Sequence, residues 1–101
     1  MALNILDFEA MADFCSTHAV DMIMVGPELP LVQGIADHFA DSPVKVIGPC
    51  AEGARLEGSK EFAKEFMTRH AIPTARFMTV TADTIDEGYS FLESLSAPYV
   101  L

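Results

Sequence analysis

Lys60 stands where a lysine can do chemistry: it follows Gly58 and Ser59 and opens a helical pattern. Ser59 is a suitable N-cap, and Glu61 falls in the first turn, where the helix macrodipole favours a negative charge. At about 100° per residue Lys60 sits roughly 20° beyond Met67, on the rim of the apolar face. Two roles are open to it. It can reach into a cleft, or it can cover Met67 with its stem and leave its ammonium in water. A second group is Gly26, Pro27 and Glu28, with Leu31 close behind. A glycine–proline corner of this kind can offer backbone N–H groups and the Glu28 carboxylate to a small polar substrate, or it can be an ordinary turn from strand to helix. The three histidines, His18, His38 and His70, fall in three different helical stretches, and His18 has no second ligand at helical spacing. They read as structural or surface groups rather than as metal ligands.

The elements that position these groups follow from periodicity. Leu3 to Leu6 reads as the stub of a strand before Asp7, which caps a helix carrying Phe8, Met11, Ala12 and Cys15 on one side. Asp21 to Val25 is a short apolar run without alternation, the pattern of a parallel strand covered on both faces. It ends at Gly26, and the next helix begins near Pro30 with Leu31, Ile35 and Phe39 turned inward. Val44 to Ile47 is a second strand closed by a second corner, Gly48 and Pro49, and Ala51 to Leu56 forms a short helix. Lys60 to His70 follows as a bounded helix. Phe62, Ala63, Phe66, Met67 and His70 span an arc of roughly 140° and form one buried face. Arg69 lies four residues after Glu65, a favourable surface pair, and Pro73 forbids continuation. Arg76 to Val80 reads as a strand, Thr84 to Glu87 as a capping box for a helix with Ile85, Tyr89 and Leu92 inward, and Tyr99 to Leu101 as a last strand.

The motifs GPE-x-PL at Gly26 to Leu31, IGP at Ile47 to Pro49, and ARLEGSK-x-FAK-x-FM-x-RH-x-IPTA at Ala54 to Ala75 occur in this order and at these distances. The chain thereby resembles the phosphoribosylamine-glycine ligases, ATP-grasp enzymes of purine synthesis, from about Asp7 to Leu101. The resemblance implies an α/β fold in two parts. Residues 1–57 would be the end of a Rossmann-like, parallel-sheet lead (pre-ATP-grasp) domain, and residues 58–101 the beginning of an ATP-grasp domain. It also implies a ligase that joins glycine to 5-phosphoribosylamine through a glycyl phosphate, using ATP and Mg2+ or Mn2+. Lys60 and Gly58 would then lie on the ATP phosphate side, and Gly26, Pro27, Glu28 and Leu31 on the substrate side. No catalytic residue and no metal ligand is assigned. Complete ligases of this family begin with a glycine-rich strand–turn–helix and continue into a glycine-rich ATP loop. Neither is present, so the chain reads as an internal fragment without activity of its own.

Composition sets outer bounds. With 101 residues, 50% of them hydrophobic, the chain can bury one modest core and reads as one compact unit. A formal net charge of -9 opposes a nucleic-acid or anionic-membrane surface, since both require a positive field. No apolar run approaches the roughly 18 residues of a membrane span, so a soluble, cytoplasmic protein is expected. Cys15 and Cys50, without a CxxC pair, are expected to be reduced and buried. A small non-catalytic α/β module, such as a receiver-like domain, is the alternative. A receiver would need an aspartate at the end of a central strand, where Asp21 to Val25 instead runs into Gly26 and Pro27; a protein-interaction domain has no such requirement. Another ATP-grasp ligase would share the GSK helix but not GPE-x-PL. Open sheet edges beside apolar side chains predict self-association, with Phe8, Phe14, Phe77, Tyr99 and Leu101 as candidates for the uncovered surface.

Overall fold

The computed structural model describes residues 3–99. Along the chain run α1 (Phe8–His18), β1 (Met22–Met24), α2 (Glu28–Val32), α3 (Ile35–His38), β2 (Lys45–Ile47), α4 (Ala51–Gly58), α5 (Lys60–Arg69), a 3-10 turn (Ala82–Thr84) and α6 (Ile85–Glu93). Residues 3–6 do not form a strand. Asn4 folds the chain back instead, its Oδ1 accepting from Leu6 N and its carbonyl from Asp7 N, both at 3.0 Å. Such side-chain turns compete with extended structure. Asp7 then caps α1, accepting from Ala10 N at 3.0 Å, and the helix ends at Ala19, which adopts φ 51°.

β1 and β2 pair in parallel, with Met22 opposite Lys45, Ile23 opposite Val46 and Met24 opposite Ile47. Because side chains alternate, Ile23 and Val46 point inward and the other four outward. The inward face meets a core of Cys15, Leu31, Ile35, Phe39, Val44 and Ala54, flanked by Phe8, Met11, Ala12 and Val25. Coverage on both faces, expected for a parallel sheet, is not found: Met24 is 80% exposed and Met22 56%. All the helices that contribute to the core lie on one side, so among the described residues nothing forms a second layer.

Leu31, Ile35 and Phe39 are buried as their spacing predicts, but they do not share one helix. Gly34, at φ 90°, breaks the run into α2 and α3, and only a residue without Cβ takes that conformation at little cost. Cys15 is buried, whereas Cys50 is exposed because it lies past the end of β2 in the second corner; both thiols are free.

α4 runs two residues past the expected Leu56 and takes in Gly58. Ser59 alone separates it from α5, and Ser59 Oγ caps α5 by accepting from Phe62 N at 3.2 Å. The expected buried face of α5 is only half-buried at Phe62, Ala63, Phe66 and Met67, and His70 is exposed. Among the described residues α5 packs mainly along α4. No Glu65–Arg69 ion pair forms among the described residues, consistent with the small net value of such surface pairs. Ala71, at φ 54°, ends the helix, and Ile72 N donates to Met67 O at 2.8 Å.

The expected strand at 76–80 has no regular secondary structure and no partner strand among the described residues. Side chains hold it: the Lys64 ammonium donates to Thr74 Oγ1 and lies 5.8 Å from the Phe77 ring, and Arg76 Nη2 donates to Ser94 Oγ at 3.2 Å. The capping box forms one turn early, between Thr81 and Thr84. α6 then packs through Gly88, buried against Val80, while Ile85 and Tyr89, expected inward, are exposed. The last expected strand falls mostly outside the described residues, and Tyr99 is not in a strand. The radius of gyration is 19.1 Å, against about 13 Å for a compact chain of this length. One compact unit is therefore replaced by a core over residues 8–58 and a thinly packed continuation.

Candidate functional site

Parallel pairing of β1 and β2 sets their carboxyl ends side by side, and each ends in a glycine–proline corner. At the first corner Gly26 faces open space, with no atom within 4 Å of where a Cβ would stand. A ligand can approach this backbone closely. Glu28, the first residue of α2, is exposed, and its carboxylate has no hydrogen-bond or ion-pair partner among the described residues. Beside the corner lies a mainly apolar hollow of about 100 Å³ bordered by Met11, Ile23, Gly26, Pro27 and Ile35. A larger cavity, about 390 Å³, opens at the opposite, amino end of the strands between Cys15, Val20, Phe39 and Val44. It is remote from both corners.

The second corner is closed to anions by the protein itself. Asp37 Oδ2, from α3, accepts from Ala51 N at 2.7 Å, placing a carboxylate where the first turn of α4 would otherwise receive a ligand anion. Leu31, expected on the substrate side, is turned into the core, and a Cβ on Gly48 would overlap its Cδ2. Its part is to lock α2 against the second corner. Val32, the next residue, packs on Gly58, where a Cβ would stand 2.5 Å from Val32 Cγ2. Gly58, expected on the ATP phosphate side, lets α4 approach α2 closely.

α2 joins the two halves of the predicted site in this way. It carries Glu28 at its start, Leu31 against Gly48 and Val32 against Gly58, and Gly58 leads through Ser59 to Lys60. Lys60 is exposed in the first turn of α5, and its ammonium has no hydrogen bond or ion pair among the described residues. It is a free cation on a capped helix, a group that can meet a phosphate. Among the described residues no three His, Cys, Asp or Glu side chains cluster closely enough to hold a metal ion.

Two contributors escaped the sequence reading. Asp37 reaches across 14 residues to Ala51, a contact without a local signature. Arg55 places its guanidinium carbon 4.0 Å from the Phe62 ring centroid, across the break at Ser59. The pairing depends on the angle between two helices, which spacing does not reveal.

The architecture is a parallel α/β unit with adjoining strand–loop–helix corners and a lysine-bearing helix behind them, the class in which ligands gather at the carboxyl ends of strands. Residues 1–57 match the family profile of the phosphoribosylglycinamide synthetase N domain, and the chain belongs to that family. It is 40% identical to the phosphoribosylamine–glycine ligase of Escherichia coli K12 over 101 residues, all of this chain and 23% of that protein. The ligase of Pseudomonas aeruginosa gives the same 40% over 101 residues. The human trifunctional purine biosynthetic protein adenosine-3 is 44% identical over 97 residues, 96% of this chain and 9% of that protein. The chain thus spans under a quarter of the length of the ligases it matches.

Proposed function

We propose that this chain supplies one wall of the active site of a phosphoribosylamine-glycine ligase, an enzyme that joins glycine to 5-phosphoribosylamine as ATP is converted to ADP and phosphate. The observation that carries this reading is Lys60, a free cation in the first turn of α5, within a chain whose relatives bear that ligase name. ATP supplies the phosphoryl group that activates the glycine carboxylate. The Lys60 ammonium offsets charge on the phosphate oxygens as they gain it. Gly26, Pro27 and Glu28 border the small-substrate side, with the open backbone at Gly26 as the point of approach. Gly58 and Leu31 act from behind, holding Lys60 and the corners to α2. The Mg2+ or Mn2+ that such a ligase uses would, on the family resemblance, be held by residues outside this chain.

The division into a lead domain over residues 1–57 and the start of an ATP-grasp domain over residues 58–101 belongs to this proposal. The end of the family match at residue 57 supports it. A cytoplasmic location fits the reading, and no described helix is long and apolar enough to cross a membrane. Self-association of the isolated chain is proposed through uncovered apolar surface. Of the residues expected there Phe77 and Tyr99 are exposed, Phe8 and Phe14 are half-buried and Leu101 lies outside the described residues, and the outward sheet face adds Met22, Met24 and Ile47. Light scattering would show species larger than 11.0 kDa, and a single monomer across a tenfold concentration range would exclude it. The functional test is glycine-dependent ADP release with 5-phosphoribosylamine present. The complete ligase carrying this chain should turn over, and the chain alone should not. Turnover by the isolated chain would refute the proposal.

A further inference from the structure

Among the described residues the Lys60 ammonium has no hydrogen bond or ion pair to aim it, so the direction of α5 sets the region it can reach. That direction is set at an elbow of one residue. Ser59, at φ -135° and ψ 109°, is the only extended position between α4 and α5. Its N–H donates back to Arg55 O at 3.0 Å, and its hydroxyl accepts from Phe62 N at 3.2 Å. These bonds fix each helix end but leave the angle between the helices to side chains. Arg55 spans it: leaving α4 in its last turns, the guanidinium lies over the face of Phe62 in the first turn of α5, 4.0 Å from the ring centroid. A guanidinium at this distance is attracted to the ring quadrupole, and its planar shape favours stacking. Gly58 against Val32 seats the α4 side of the elbow on α2.

We propose that Arg55 is a positioning residue for ATP use, holding the α4–α5 elbow so that Lys60 is presented to the phosphates. The inference rests on the reading of Lys60 given above and adds a residue to that site. Misplacement of a catalytic group by about 1 Å can cost on the order of a hundredfold in rate, so a modest clamp has leverage.

The test uses the complete ligase carrying this chain. Arg55→Ala should lower kcat/KM for ATP about fivefold, the factor that an exposed cation–π contact supports, while KM for glycine stays within about twofold. Phe62→Leu, which keeps bulk but removes the ring, should give a similar ATP-selective loss and carries the test if Arg55→Ala does not fold. Arg55→Lys should recover part of the loss. On a Lys60→Ala background Arg55→Ala should add nothing, because it acts through Lys60. An equal loss on that background, an equal loss for glycine, or no loss at all would overturn the assignment. If Lys60→Ala is itself silent, the fault lies in the reading of Lys60, and the two failures are told apart.

Discussion

Gly58→Ala tests whether α4 is seated on α2. The added Cβ would stand 2.5 Å from Val32 Cγ2, with Cγ1 at 3.6 Å, whereas carbons at their optimal separation lie about 3.5–4.0 Å apart. The helices, or Val32, must yield by roughly 1 Å. Val32 yields poorly, since a β-branched side chain in a helix keeps one strongly preferred rotamer. Overpacking of this kind costs about 1–3 kcal/mol. Against it stands the gain in helix propensity from replacing glycine by alanine, about 0.5–1 kcal/mol. Gly58→Ala should therefore destabilise the chain by about 0.5–2 kcal/mol. On a Val32→Ala background the γ carbons are gone and only the propensity term remains, so the sign should invert to a stabilisation of about 0.5–1 kcal/mol. The assay is urea unfolding followed by far-UV circular dichroism at one protein concentration, with the four proteins of the cycle compared at constant m. Equal effects of Gly58→Ala in both backgrounds would refute the contact. Gly58 would then have to be explained by something it admits, such as a phosphate.

Ile35, 1% exposed at the centre of the core, should cost about 2–5 kcal/mol when replaced by alanine, read from the same unfolding curves. Ser59→Ala removes the side-chain cap of α5 and should cost about 0.5–2 kcal/mol; helicity over 60–69, followed by backbone chemical shifts, should fray from its amino end. Cys50 is exposed and Cys15 buried, so a thiol reagent should label one cysteine promptly in the native chain and the second only in urea. Prompt labelling of both would mean that the core around Cys15 opens far more readily than its packing implies.

Features with a local cause were legible in the sequence. Asp7 and Ser59 each satisfy a backbone N–H three residues on, a pattern contained in a short stretch of chain. The same holds for Leu31, Ile35 and Phe39, whose spacing points them inward whether or not Gly34 divides their helix. What failed depended on partners elsewhere. Arg76 to Val80 has the composition of a strand, but a strand needs a neighbour, and among the described residues none lies beside it. Ile85 and Tyr89 have helical spacing, yet the stripe that packs is the one containing Gly88, because Val80 approaches there. At the site, the place of Lys60 was readable from its cap. The roles of Leu31 and Gly58 were not, since each is decided by a glycine or valine on another element that comes within van der Waals reach only after folding.

If the free ammonium of Lys60 meets the phosphates of ATP, Lys60→Ala in the complete ligase carrying this chain should weaken ATP use. Losing a charge-assisted hydrogen bond to phosphate costs about 1.5–3 kcal/mol, which at about 1.4 kcal/mol per factor of ten is a fall of roughly ten- to 150-fold in kcat/KM for ATP. Because Lys60 is exposed and its ammonium has no hydrogen bond or ion pair among the described residues, the melting temperature should hardly move. A fall of that size with folding intact is the predicted result. An unchanged kcat/KM for ATP would mean that Lys60 is a surface lysine whose stem covers Met67.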